Sequence, residues 1–137
     1  MIEGYRDFQR EADAFLKTAM GARKRPGVFT PAIVHGILSM AMEKHIMAIL
    51  MASDQLPDNH TFDDLVHAMD AVAPLDPDLA RFLLELNRFD DMCSLDPRRR
   101  PEPDASLVER MRDAACAVRD HADALLGPIG SREPVLA

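Results

Sequence analysis

The chain has 137 residues, of which 47% are apolar and 28% charged, and its formal net charge is −7. This balance is typical of one soluble globular domain, and it excludes collagen, a disordered low-complexity chain and a disulfide scaffold. Residues 1–60 hold equal numbers of acidic and basic side chains, so residues 61–137 carry the whole net charge. Because such a surface repels phosphate backbones, broad nucleic-acid binding is disfavoured.

The cysteine content and the amino-terminal sequence indicate where the protein resides. Cys93 and Cys116 are isolated, and such cysteines usually serve as small apolar residues in a reducing compartment. The first fifteen residues are charged and interrupted, unlike a signal peptide. No uninterrupted apolar run approaches the roughly 18 residues of a membrane helix. We therefore expect a cytoplasmic protein with no membrane segment.

Apolar residues recur every three or four positions along most of the chain, which predicts helices and no strands. The first stripe covers residues 5–19 and is followed by a basic loop at 21–27. Thr30 is a good helix cap and Pro31 is tolerated at the first helical position, so a second helix should begin there. It should run to about Gln55.

Three more helices follow in the pattern. A short third helix covers about 62–72, a fourth runs from 77 to about 93, and a fifth follows Asp104 as its cap and ends near 126. A proline-rich loop at 96–104 separates the last two. The sequence thus predicts an all-α protein, an up-and-down bundle of four to five helices, with one domain over 1–127 and a flexible tail at 128–137.

The second helix is apolar around nearly its whole circumference, unlike the others. Such a helix is either central in the bundle or shared with a partner chain. Its methionines suit core packing or an adaptable contact surface. We predict an interface between two copies that includes Ile37, Met40, Met47 and Met51.

The order of these elements resembles the HEPN superfamily of small helical-bundle proteins over residues 5–126. The stretch 42–50 (MEKHIMAIL) is similar to that superfamily's second helix, and 57–65 (PDNHTFDDL) to its loop into a third helix. Here Asp63 stands near the position where the superfamily commonly has histidine.

This resemblance implies a bundle that is often dimeric and that frequently acts beside a nucleotidyltransferase, as in toxin–antitoxin modules. RNases of the superfamily carry an arginine followed after four to six residues by histidine. None of the five histidines here has an arginine at that spacing. The resemblance therefore favours a non-catalytic member over an RNase.

Two polar groups could instead bind a ligand or catalyse a reaction. His35, Ser39 and Glu43 are spaced four apart and share one helical row, which is either a ligand-binding stripe or an ordinary polar seam between helices. The loop residues Arg98, Arg99 and Arg100 form the strongest local positive charge, which suits phosphate or carboxylate groups. The loop at 23–25 is a second, similar run.

The remaining histidines indicate no metal or cofactor site. His60 and His67 are seven residues apart, and no zinc or di-iron ligand spacing is present. His45 lies on an apolar row, so we predict a hydrogen-bonded histidine in the interior or at an interface.

The leading interpretation is a non-catalytic, HEPN-like association module that forms homodimers and partners a nucleotidyltransferase-like protein. The alternative is a divergent nucleotide- or RNA-binding protein, such as a degenerate RNase or toxin component, that uses the Arg98–Arg100 loop. Neither interpretation requires a cofactor.

Overall fold

The structure is a computed structural model that describes residues 1–95 and 103–129, without the side chains of residues 90–95. Its described elements are five α-helices and one short 3-10 turn at Ala22–Lys24: α1 (Tyr5–Gly21), α2 (Pro31–Ala52), α3 (Phe62–Asp70), α4 (Pro77–Leu95) and α5 (Ala105–Leu126). The prediction of an all-α helical bundle is confirmed.

The helix starts follow the local capping chemistry. The side chains of Thr30 and Thr61 accept hydrogen bonds from the backbone N–H three residues later, both at 3.3 Å. Asp104 accepts from Leu107 N at 2.7 Å. Each cap satisfies one of the N–H groups that a helix leaves unpaired at its start. Short-range sequence signals therefore located these boundaries well.

The end of α2 differs from the prediction. The helix stops at Ala52, before Gln55, because Asp54 adopts a left-handed conformation with φ of 58°. The N–H of Gln55 turns back to the carbonyl of Leu50 at 2.8 Å. The chain's amino group pairs with Asp54, so the amino terminus is held against this turn.

The helices pack in an up-and-down arrangement. α1 runs antiparallel to α2, since Ile2 N bonds to Met51 O at 2.8 Å while Lys44 pairs with Glu11 near the middle. α5 packs against both α1 and α2. Arg6 donates to the carbonyl of Gly127 at 2.9 Å, so the end of α5 lies beside the start of α1.

The core is built around the carboxyl-terminal half of α2. From Ala41 to Met51 this helix is buried at all but two positions, in a core cluster that also contains residues of the other four α-helices. The apolar spacing of the fifth helix predicts that Leu125 is buried, but in the structure Leu125 is 49% exposed. It belongs to the last turn of α5, where no further helix covers it.

A buried arginine ties α5 to the end of α1. Arg112 is only 5% exposed, and its Nε and Nη2 donate to the carbonyl of Ala19 at 3.3 and 3.2 Å. Its Nη1 contacts Glu109. The guanidinium thereby adds two donors to a carbonyl that also accepts from the N–H of Ala22 at the end of α1.

Among the described residues, α2 is the one helix whose length and apolar content would let it cross a membrane. We expected no such segment, because polar residues interrupt its apolar runs. Of its most apolar window, 56% is buried inside the bundle. A helix surrounded by protein needs an apolar circumference, so burial accounts for the composition of the covered part of α2.

Candidate functional site

The amino-terminal half of α2 presents an uncharged surface that the other described residues leave open. Residues 26–42 contain no Asp, Glu, Lys or Arg. Within that stretch Ile33 is 48% and Met40 is 43% exposed, and Ile37 between them is half-buried. Gly36 is exposed on the same side, and a Cβ added there would meet no atom within 4 Å. We call Ile33, Gly36, Ile37 and Met40 the α2 face.

A shallow groove of about 420 Å³ lies beside the α2 face, between α1 and α2. Its lining is mainly apolar and includes Phe15 and Met40. The ion pair of Lys44 with Glu11, at 2.7 Å, closes one side, and the Lys44 ammonium also lies 4.8 Å from the centre of the Phe8 ring. The groove gives the α2 face a depression into which an apolar side chain could insert.

The predicted interface residues divide between this surface and the core. Met40 is exposed and Ile37 half-buried, as a contact surface requires. Met47 and Met51 are 3% and 6% exposed and pack inside the chain. Because the carboxyl-terminal half of α2 is covered by other helices, Met47 and Met51 are core residues, and Ile33 and Gly36 complete the surface instead.

The row formed by His35, Ser39 and Glu43 lies on another side of α2. The His35 ring packs against the Phe89 ring with centroids 5.5 Å apart. Glu43 is engaged by His60, whose Nδ1 lies 2.6 Å from its Oε1. Within the described part of the chain, the buried Ser39 hydroxyl has no hydrogen-bond partner. These contacts place the row between α2 and its neighbours, as a polar seam would be. They do not link the Ser39 hydroxyl to the Glu43 carboxylate.

His45 occupies the interior, which confirms the prediction for this residue. Its side chain is fully buried, and its Nε2 lies 2.9 Å from Asp13 Oδ1 on α1. Asp13 was not anticipated from the sequence. Its place on the half-exposed edge of α1 depends on how α1 rotates against α2, and no local pattern specifies that rotation.

The structure describes only one of the two basic loops. Arg98, Arg99 and Arg100 lie outside the described residues. In the other loop, Arg23 forms a two-point contact with Glu109 of α5. The hydrogen bond from Arg23 holds the pKa of Glu109 below its usual value of 4.5. The same bond raises the pKa of Arg23.

The described residues hold no group of three or more His, Cys, Asp or Glu side chains placed to ligate a metal ion. His60 pairs with Glu43, while His67 lies exposed near the end of α3. Cys116 is a half-buried free thiol, and the side chain of Cys93 lies outside the described residues.

No model of a protein family, no curated protein and no solved structure matches this chain. A functional assignment therefore rests on the chain's own geometry. The α2 face is the feature of that geometry that internal packing leaves unexplained.

Proposed function

We propose that the protein is a non-catalytic association module that forms a homodimer through the α2 face. The observation that carries this proposal is the exposure of Ile33 and Met40 on a stretch with no charged side chain. Fully burying one such side chain contributes about 1.5–3 kcal/mol. A contiguous surface of this kind is characteristic of an interaction site.

The absence of charged side chains from the α2 face makes a second copy a suitable occupant. Each copy carries −7, so two copies repel wherever their charged surfaces meet. A surface made from residues 26–42 can meet its own copy without placing like charges opposite each other. Two-fold dimers use the same patch on both subunits, and the α2 face is one compact patch on one helix.

The spacing of the face suggests a register. Ile33, Gly36, Ile37 and Met40 follow the three- and four-residue spacing of one helix side. If two α2 helices cross antiparallel with the two-fold axis between residues 36 and 37, Ile33 lies opposite the partner's Met40. Gly36 then lies at the axis, where its missing side chain permits close approach. Met40 borders the α1–α2 groove, so the partner's Ile33 would enter that groove.

The HEPN resemblance extends the proposal to a second partner. As a HEPN-like cytoplasmic module, the dimer would bind a nucleotidyltransferase-like protein. The resemblance is the support for this extension, and the α2 face is the support for the dimer.

Sedimentation and cross-linking test the dimer. We expect the wild-type chain to sediment at twice 15.3 kDa, and Ile33→Asp or Met40→Asp to sediment as a monomer. Both positions are exposed, so the helical circular dichroism should be retained. Leu56→Asp is the matched control, because Leu56 is 62% exposed but lies outside the α2 face. It should remain dimeric.

A disulfide test examines the register. In a chain lacking Cys93 and Cys116, the pair Ile33→Cys with Met40→Cys should cross-link two copies under mild oxidation. Ile33→Cys alone should not, because the two equivalent positions would be about 10 Å apart along the helix axis. A wild-type monomer at all soluble concentrations would refute the dimer, and cross-linking by Ile33→Cys alone would refute the antiparallel register.

A further inference from the structure

A second feature lies away from the α2 face, where the connection between α1 and α2 passes over the start of α5. A cavity of about 220 Å³, open to solvent on one side, is lined there by apolar side chains that include Phe29, Val34 and Val108. Its polar boundary is formed by Arg23, Glu109 and Arg112. It thus combines apolar walls with a few convergent polar groups, which is the usual composition of a small-molecule site.

The polar boundary is built on a buried cation. Arg112 is 5% exposed and is fixed by its two bonds to the carbonyl of Ala19. The carboxylate of Glu109 forms ion pairs with both Arg112 and Arg23. One of the two guanidinium charges is therefore not neutralised within this trio, in a place partly shielded from water.

Among the described residues at and next to the cavity along the chain, cations slightly outnumber carboxylates. Lys24 and Arg25 directly follow Arg23 in the sequence, while Asp104 caps the start of α5 and Asp113 lies on α5. Together with the trio, these groups comprise four cations and three carboxylates. This local excess of cations, on a chain of net charge −7, favours an anionic group over a cationic or neutral one.

Arg23 can supply the direct contact. Its Nε and Nη2 face Glu109, which leaves the Nη1 protons for another acceptor. Its side chain is half exposed, so it can turn toward a ligand without disturbing the fold. The cavity volume is below the about 300–1,000 Å³ of sites for drug-sized molecules, so the ligand would be a single ring or a short chain.

We propose that this cavity binds a small molecule that carries one anionic group, a phosphate or a carboxylate, on an apolar ring or short chain. The apolar part lies between Phe29 and Val108, and the anionic group accepts hydrogen bonds from Arg23. This site is independent of the dimer, since the α2 face does not contribute to it.

Protein-observed NMR tests the site with four probes: phenyl phosphate, benzoate, inorganic phosphate and benzyl alcohol. We expect phenyl phosphate, benzoate or both to give saturable shifts at the amides of Ala22, Val34 and Val108. Saturation by one of the two anions identifies the headgroup. Inorganic phosphate and benzyl alcohol, each lacking one half of the ligand, should bind at least about tenfold more weakly.

Two variants locate the binding. Arg23→Ala removes the contact to the anion, and Ala105→Phe fills the mouth of the cavity from an exposed position. Each should weaken the better aromatic anion about tenfold or more while the remaining spectrum stays folded. Arg81→Ala is the matched control, because Arg81 is also an exposed arginine paired with a carboxylate, Asp78. It should bind like the wild type.

Three results would overturn the proposal. The first is no saturable shift with either aromatic anion. The second is binding of benzyl alcohol as tight as that of the anions, since the cation would then play no part. The third is unchanged affinity in the Arg23→Ala variant. None of these results bears on the dimer, which is tested by sedimentation.

Discussion

His45 Nε2 lies 2.9 Å from Asp13 Oδ1, and this contact joins the middle of α2 to the middle of α1. The histidine is fully buried, whereas Asp13 is 29% exposed. Because a carboxylate can only accept, Nε2 carries a ring proton. Nδ1 has no hydrogen-bond partner within the described residues, so Asp13 provides the one polar contact that compensates the burial of this ring there.

Removing Asp13 should therefore destabilise the fold. We expect Asp13→Ala to lower the free energy of unfolding by about 1–3 kcal/mol, the cost of leaving a buried polar group unpaired. Asp7→Ala is the matched control, since Asp7 is also a paired aspartate on α1 but is 73% exposed. It should cost less than about 1 kcal/mol. Urea unfolding measures both, and equal losses would contradict the structural role of the contact.

The Glu109 carboxylate should make stability depend on pH in the acid range. Its pKa is held below 4.5 in the folded chain by the hydrogen bond from Arg23. As pH falls below 4.5, Glu109 becomes protonated in the unfolded chain while it stays ionised in the folded chain. The free energy of unfolding therefore decreases until pH has fallen past the lower pKa of the folded chain. Above pH 4.5 the contribution is fully present.

The Glu109→Gln variant should lose this part of the pH dependence. Between pH 5 and pH 3, values chosen to bracket that usual pKa, its free energy of unfolding should fall less than that of the wild type. Urea titrations at the two pH values make the comparison. Parallel decreases in both proteins would show that the Arg23–Glu109 contact does not persist in solution.

The methionines of α2 should differ in their contribution to stability. Met47 is 3% exposed, so Met47→Ala should cost about 2–5 kcal/mol through lost burial and a residual cavity. Met40 is 43% exposed, and Met40→Ala should cost less than about 1 kcal/mol in the monomer. Thermal or urea unfolding at low protein concentration separates the two. A larger loss for Met40→Ala would contradict the assigned orientation of α2.

The helices and their starting points could be derived from the sequence because the relevant interactions are local. Thr30 followed by Pro31, and Asp104 before the last apolar stripe, specify caps through groups only three residues apart. The buried state of His45 also followed from its neighbours at helical spacing. The early end of α2 did not, because the apolar pattern does not mark the left-handed turn at Asp54, which the bond from Gln55 N to Leu50 O closes.

The proposed surfaces were only partly predictable. The apolar residues around the circumference of α2 identified this helix as exceptional. They could not separate Met40 from Met47, since an all-apolar helix gives no periodic sign of which side is covered. The cavity near Arg112 has no sequence signal, because its walls come from α2, α5 and the connection between α1 and α2.

The sequence by itself determined the all-α class, the order of the helices and most of their boundaries, since hydrogen bonds and dihedral preferences within a few residues fix these properties. Only the tertiary structure decided which half of α2 is core and which half is surface. It also brought Arg112 to Ala19 and His45 to Asp13, because burial and long-range pairing depend on the packing angle and rotation of whole helices, which local preferences do not encode.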